Sequence, residues 1–503
     1  MQVRRTYPYV AAAALAAIMV AVPSAAVAAP AAGAPGVGDP YYPLDGNGGY
    51  DVAHYAIAID YQPATDRLTG TTVITAKATE DLSRFNLDFA LTATKVTVDG
   101  APAQTSASGT ELVVTPRRPL AKGERMVVAV SYTGVPSAVK VDGSSPWKRM
   151  PSGAIAVDQP RIAPWWFPAN DHPQDKATYE VVTTVPAGLQ VIGNGRLRSS
   201  ATRGGKSAFY WRETKPMATY LAFVAIGRYD ITTGRSASGI PYTNAVAKGI
   251  GANGPAAKAA LAKTPEIIEW EASLFGPYPF EAVGGVVPET KFGFALENQT
   301  RPVYSPSFWN PGRDGDSVVV HELAHQWFGD SVSVHRWSDI WLNEGFASMA
   351  EWLYSEHVGD GTAQSLSDSV YAQHPADDAF WTVVIGDPGA AKQFDGAVYD
   401  RGAMTLQALR TKVGNRVFLR TLRDWATKKK YGNGSVAEFI ALAERNSGQE
   451  LGAFFQTWLY TPARPARTAE NGLPAVAPSA DRAGAPAARS HLVGAEAHGH
   501  QHG

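Results

Sequence analysis

From Tyr50 to about Tyr229, apolar and polar positions alternate in short runs. The runs 56–61, 71–76 and 126–132 are dense in β-branched and aromatic residues and are bounded by Gly, Pro and Asp, the mark of strands joined by turns. The period changes near Gly254. Residues 256–275 carry apolar positions at helical spacing and stop at Gly276-Pro277. Residues 281–304 read as strand and turn. Asp316 is placed to cap a helix that Gly329 closes, and a second helix is expected from about 339 to 358, ahead of Gly359. Helical patterns then alternate with turns to about Tyr460. The pattern predicts an α+β multidomain protein, with an N-terminal antiparallel β-sandwich or saddle domain at 50–229 and a mainly helical domain at 230–461.

The two ends read differently. Arg4 and Arg5 precede an apolar run over 10–22, and Ala26-Val27-Ala28 offers the small residues of a cleavage site. Pro23 and Ser24 interrupt that run at thirteen residues, short of the ~20 needed to span a bilayer. Residues 1–28 therefore read as a signal peptide cut near Ala28/Ala29 rather than an anchor, and a secreted protein with no membrane attachment after cleavage is expected. Residues 29–49 read as a linker. Residues 462–503, rich in Ala, Pro and Gly without apolar period, read as a disordered tail ending in His498, His500 and His502.

Composition narrows the chemistry. At 503 residues, two or three domains are expected. A net charge of −1 leaves no basic excess for nucleic acid. The chain has no cysteine, which removes thiolate catalysis and Cys-based metal sites and leaves histidines and carboxylates to hold any metal.

One motif fits that restriction. In His321-Glu322-Leu323-Ala324-His325 the histidines lie four apart, so on a helix both imidazoles face one metal. Glu322 between them is within reach of a water on that metal. With eighteen residues between it and His325, Glu344 lies on the second predicted helix and supplies a third ligand. A bare HExxH also arises by chance on surface helices; a third ligand on its own patterned segment separates the two readings. Two histidines and one carboxylate leave a fourth zinc position open, the catalytic arrangement, so one Zn2+ per chain is expected. Asp330, Asn343 and Asp339 are candidates for holding the outer nitrogens of the histidines.

Gly293-Phe294-Ala295-Leu296-Glu297-Asn298 lies just upstream, with Glu297 24 residues before His321. Together with the zinc motif it resembles the aminopeptidase N family of zinc metallopeptidases (gluzincins), whose Gly-x-Met-Glu-Asn strand has this separation; Leu296 replaces the methionine at similar volume. Residues 161–173, with Trp166-Phe167-Pro168 and Asp171-His172-Pro173, are similar to the family's N-terminal domain near the site, with Ala169 where a cysteine is usual. Residues 275–280 resemble its strand entry, and Val398-Tyr399-Asp400-Arg401-Gly402-Ala403 resembles its Val-Tyr-x-Lys-Gly-Ala element. The resemblance implies a thermolysin-like zinc catalytic domain after the β-domain. It implies that Glu297 binds the substrate's α-amino group, that backbone beside it from Gly293 to Asn298 pairs with the peptide, and that Tyr399 stabilises the oxyanion. It also puts Gln159 in the amino-terminal pocket, at a spacing two residues short of the commoner pattern. Longer members continue into a helical domain over the site, whereas here about 100 residues follow Glu344 before the expected tail. The expectation is a secreted zinc aminopeptidase acting on peptides with a free N-terminus, with Glu322 as general base. A thermolysin-type endopeptidase would have no use for Glu297, epoxide hydrolysis is demanded by no residue, and a silent peptide-binding protein would have no need of Glu322 and Tyr399.

Overall fold

Strands fill the first half because inward positions recur every second residue. The computed structural model describes residues 1–3, 5, 6, 29–140, 143, 145–310 and 315–473, so the expected signal peptide lies almost wholly outside the described residues, as does the tail beyond Leu473. In Tyr50–Gln62 the buried positions are 50 and 52, then 55, 57, 59 and 61. The slip coincides with a bulge between Val52 and His54, which re-aims the strand while keeping its apolar face inward.

The largest sheet runs in the order Arg196–Arg203, Lys206–Ala218, Lys176–Pro186, Tyr50–Gln62, Arg67–Ala78, Arg125–Gly134, Thr92–Val98, Ala101–Pro102. It is not wholly antiparallel as the pattern suggested: Tyr50–Gln62 and Lys176–Pro186 pair in parallel. More than a hundred residues separate these strands, so no hairpin dictates their direction. Two four-stranded sheets complete the β-rich half.

A five-stranded sheet opens the second half, in the order Tyr229–Arg235, Pro241–Ala247, Val283–Val287, Val303–Tyr304, Ala295–Leu296. Ala295–Leu296 is an edge. Helices α1 (Asn253–Ala262) and α2 (Thr264–Phe275) interrupt its strands, and α3 (Asp316–Ala324), α4 (Trp341–Val358), α5 (Ala363–Gln373), α6 (Gly396–Val413), α7 (Asn415–Lys428) and α8 (Val436–Ser447) follow them. Helix α3 is capped by Gly315, with Asp316 one residue inside, and α4 ends where Gly359 adopts a left-handed φ of 84°.

The halves share buried surface. Ile155, Ile192, Trp211 and Phe223 of the β-rich half pack with Ala245, Val286, Leu296 and Val303. Half-buried Lys176 donates from Nζ to the carbonyls of Asp330, Ser331 and Gly432 at 2.8, 3.1 and 3.0 Å, pegging the first half to the loop beyond the zinc motif.

Two segments depart from expectation. Residues 29–49, read as a linker, are docked: Asp39, Tyr42, Asp45 and Asn47 are buried. Asp39 accepts from the Trp337 N–H at 2.9 Å, and the Tyr42 hydroxyl donates to Gln393 at 2.8 Å. Residues 462–473 are also packed, with Leu473 buried and the Trp458 indole donating to the Asn471 carbonyl at 3.0 Å. In both segments a few aromatic and polar side chains dock a stretch whose overall composition resembles a flexible linker.

The contact of α4 with α6 sets the site's geometry. A Cβ on Gly345 would meet the Gly402 backbone at 2.9 Å, and one on Gly402 would meet Gly345 at 2.7 Å. The helices cross at these two glycines, one next to Glu344 and the other three residues after Tyr399. Gly345→Ala must push the helices apart; we expect a loss of about 1–3 kcal/mol, read by denaturant unfolding. On the same helix, Arg401 is wholly buried and its guanidinium donates to the carbonyls of Trp381, Val383, Thr457, Trp458 and Thr461. Five carbonyls on one fork explain why a cation can stand in a core.

Candidate active site

Helix α3 presents His321 and His325 on one face, and α4 brings Glu344 against them. Glu344 Oε2 lies 3.5 Å from His321 Nε2 and 3.3 Å from His325 Nε2, with all three side chains buried. Tetrahedral zinc with bonds of about 2.0–2.2 Å holds its donors about 3.3–3.6 Å apart. The donor set therefore fits zinc in type and in spacing.

The outer nitrogens are oriented by partners other than those expected. His321 Nδ1 is bonded to Glu351 Oε1 at 2.7 Å, and His325 Nδ1 to the Phe328 carbonyl at 2.9 Å. Both bonds direct the Nε2 atoms to the metal position. The expected residues do not hold the rings: among the described residues the side chains of Asp330 and Asn343 make no hydrogen bond, Asp339 accepts from the Val436 N–H at 3.4 Å, and Asp330 serves Lys176 through its carbonyl. Glu351 was legible in principle, since it lies seven residues after Glu344, two turns along the same face of α4.

The electrostatics suit a cation. Burial opposes ionisation of Glu344, but His325 and His321 outweigh it and hold the carboxyl at about 2. Burial likewise disfavours the charged form of His321, yet bonds to Glu344 and Glu351 carry it up to about 9. Glu322 is buried beside them, and desolvation pushes its carboxyl up to about 8.

Glu297 faces the same centre: one of its oxygens, a Glu322 oxygen and a His325 ring nitrogen all lie within 4.8 Å of one another. Its Oε1 accepts from Gln159 Nε2 at 3.2 Å and from the Tyr220 hydroxyl at 2.9 Å. Gln326, the residue after His325, ties this strand to the zinc motif: its Nε2 donates to the Glu297 carbonyl at 3.2 Å and its Oε1 accepts from the Thr300 N–H at 2.7 Å. Thr300 holds a φ of 66°, costly for a β-branched residue, and a further bond from the Gly195 N–H to its hydroxyl at 2.7 Å keeps it there. Tyr399 is buried with its ring 6.1 Å from that of His321, and burial raises its phenol well above the usual range.

Two candidates stand apart from this group. Asn298 donates from Nδ2 to the Leu221 carbonyl at 3.1 Å, fastening the strand to the β-rich half. Gly293 lies on an exposed bend with open space where a side chain would be. Tyr220, Glu351 and Gln326 were not anticipated. Tyr220 has no local signal, since it reaches Glu297 across 77 positions of sequence.

Residues 52–221 match the Peptidase M1 N-terminal domain and residues 260–458 the Peptidase family M1 domain. Aminopeptidase M1 of Arabidopsis thaliana is 26% identical over 327 residues, 61% of this chain and 36% of its own length. Aminopeptidase N of Lactobacillus delbrueckii subsp. lactis is 26% identical over 456 residues, 82% of this chain and 51% of its own. The chain thus spans about a third to a half of the length of these relatives. The M1 zinc metallopeptidase of Deinococcus radiodurans superposes with a TM-score of 0.76 at 26% identity, covering 88% of this chain and 100% of that one. A substituted form of it bound to a Tyr-Ser-Ala substrate gives 0.77 at 27% identity, with 86% and 99% covered. With an M1 match on each half, in the order in which the two folds follow one another, this chain belongs to the peptidase M1 family.

Proposed function

We propose that the protein is a secreted zinc aminopeptidase that removes N-terminal residues from peptides. One observation carries the reading: the Glu297 carboxylate stands within 4.8 Å of Glu322 and His325. In any peptide the α-nitrogen lies about 2.5 Å from its own carbonyl carbon. An ammonium held at Glu297 therefore places only the first peptide bond at the metal position. An endopeptidase would have to bury Glu297 against uncharged backbone, an uncompensated charge.

His321, His325 and Glu344 would hold the zinc, one per chain. When bound, zinc supplies Lewis acidity, acidifying water and polarising a carbonyl. Glu297, with Gln159 beside it, fixes the substrate ammonium, and the edge strand Ala295–Leu296 offers backbone groups to an extended peptide. Glu322 takes a proton from the attacking water and passes it to the leaving amine. Tyr399 donates to the oxyanion as the carbonyl carbon becomes tetrahedral. The Deinococcus protein bound to Tyr-Ser-Ala supports a peptide as substrate, and a two-domain M1 zinc metallopeptidase bound to L-arginine or L-tryptophan supports an amino acid as product. Secretion is read from the N-terminal sequence, where Arg4 and Arg5, a short apolar run and Ala26-Val27-Ala28 follow in order.

The purified protein should hydrolyse aminoacyl fluorogenic substrates, lose that activity to a chelator, and regain it on addition of zinc. Full activity in a chelated preparation shown by metal analysis to lack transition metal would remove the reading.

A further inference from the structure

We propose that Tyr220 is a positioning residue for the substrate amine, holding Glu297 so that one carboxylate oxygen is left to meet the ammonium. The proposal rests on the aminopeptidase reading and assigns a residue that the sequence did not indicate. The Tyr220 hydroxyl donates to Glu297 Oε1 at 2.9 Å, and Gln159 donates to the same oxygen at 3.2 Å. Both neutral donors thus fall on Oε1, which leaves Oε2 for the charged partner. A carboxylate that must accept a strong, directional bond gains from having its other oxygen fixed beforehand, because less freedom is lost on binding.

The phenol is itself held by the turn that carries it and by a neighbouring ring. It belongs to the buried turn Thr219–Leu221, whose Leu221 carbonyl accepts from Asn194 at 2.9 Å and from Asn298 at 3.1 Å. Its ring packs edge-on against Trp337, centroids 5.3 Å apart. Trp337 in turn is fixed by its N–H bond to Asp39, 2.9 Å, and by the ring of Tyr42 at 6.4 Å. The docked N-terminal segment, the turn and the Glu297 strand therefore form one support, and Tyr220 is the member that touches the amine anchor. It reaches substrate only through Glu297.

Tyr220→Phe keeps the ring and its contact with Trp337 and removes one oxygen. In the zinc-loaded protein we expect unchanged zinc content and melting temperature. We expect KM for an aminoacyl substrate to rise about tenfold with kcat little altered, the size of one hydrogen bond to a charged group. Inhibition by L-arginine should weaken by the same factor, and the preference for a free over an N-acetylated substrate should narrow by it. A KM and an L-arginine inhibition constant within twofold of wild type would overturn the proposal. So would equal losses in kcat, stability and both substrates, the pattern of a merely structural residue. If wild type itself shows no preference for the free amine, the aminopeptidase reading falls and takes the proposal with it; an intact preference in both proteins removes the proposal alone.

Discussion

Glu322→Gln should leave zinc bound and turnover lost. The carboxyl of Glu322 lies beside the ligand set but outside it: Glu344 stands at zinc spacing, 3.5 and 3.3 Å, from His321 and His325. Replacing one oxygen by an amide removes the proton acceptor while keeping volume and burial. General-base catalysis typically contributes roughly 10²–10⁴-fold, so kcat should fall by at least two orders of magnitude. Metal analysis and kcat on the same preparation separate the outcomes. A variant that keeps zinc and more than about a hundredth of wild-type rate would show that another group takes the proton.

Glu297→Ala should cost about 2–5 kcal/mol of transition-state binding on a free-amine substrate, a drop in kcat/KM of roughly thirtyfold to several thousandfold. The cause is the unpaired ammonium left in a buried site: Glu297 is 3% exposed, and its Oε1 accepts from the neutral donors Gln159 and Tyr220. The loss should nearly vanish on an N-acetylated substrate, which has no charge to pair. Comparable losses on both substrates would return Glu297 to a structural role.

What the sequence disclosed follows from how locally each feature is encoded. His321, Glu322 and His325 share one helical turn, so their spacing alone put them on one face, and Glu344 was found because it too sits on a patterned helix. Glu351 obeys the same rule, but among many surface glutamates its spacing from Glu344 carried no distinguishing mark. Tyr220 could not be found, because its place against Glu297 depends on how a turn of the β-rich half packs on a strand of the other. The parallel pairing of Tyr50–Gln62 with Lys176–Pro186 was hidden for a similar reason, since alternation reports which face is buried and not which neighbour a strand takes. The segment 29–49 misled because Pro, Gly and Ala dominate it, whereas docking rests on Asp39, Tyr42 and Asp45.

On the proposed reading, Glu297 meets a free amino terminus beside His321, His325 and Glu344. The most direct test is one comparison on wild-type protein: kcat/KM for an aminoacyl fluorogenic substrate and for its N-acetylated twin. The geometry of Glu297, Gln159 and Tyr220 predicts ready cleavage of the first and nearly none of the second. Equal cleavage of both would contradict the aminopeptidase assignment while leaving the metal site of His321, His325 and Glu344 intact.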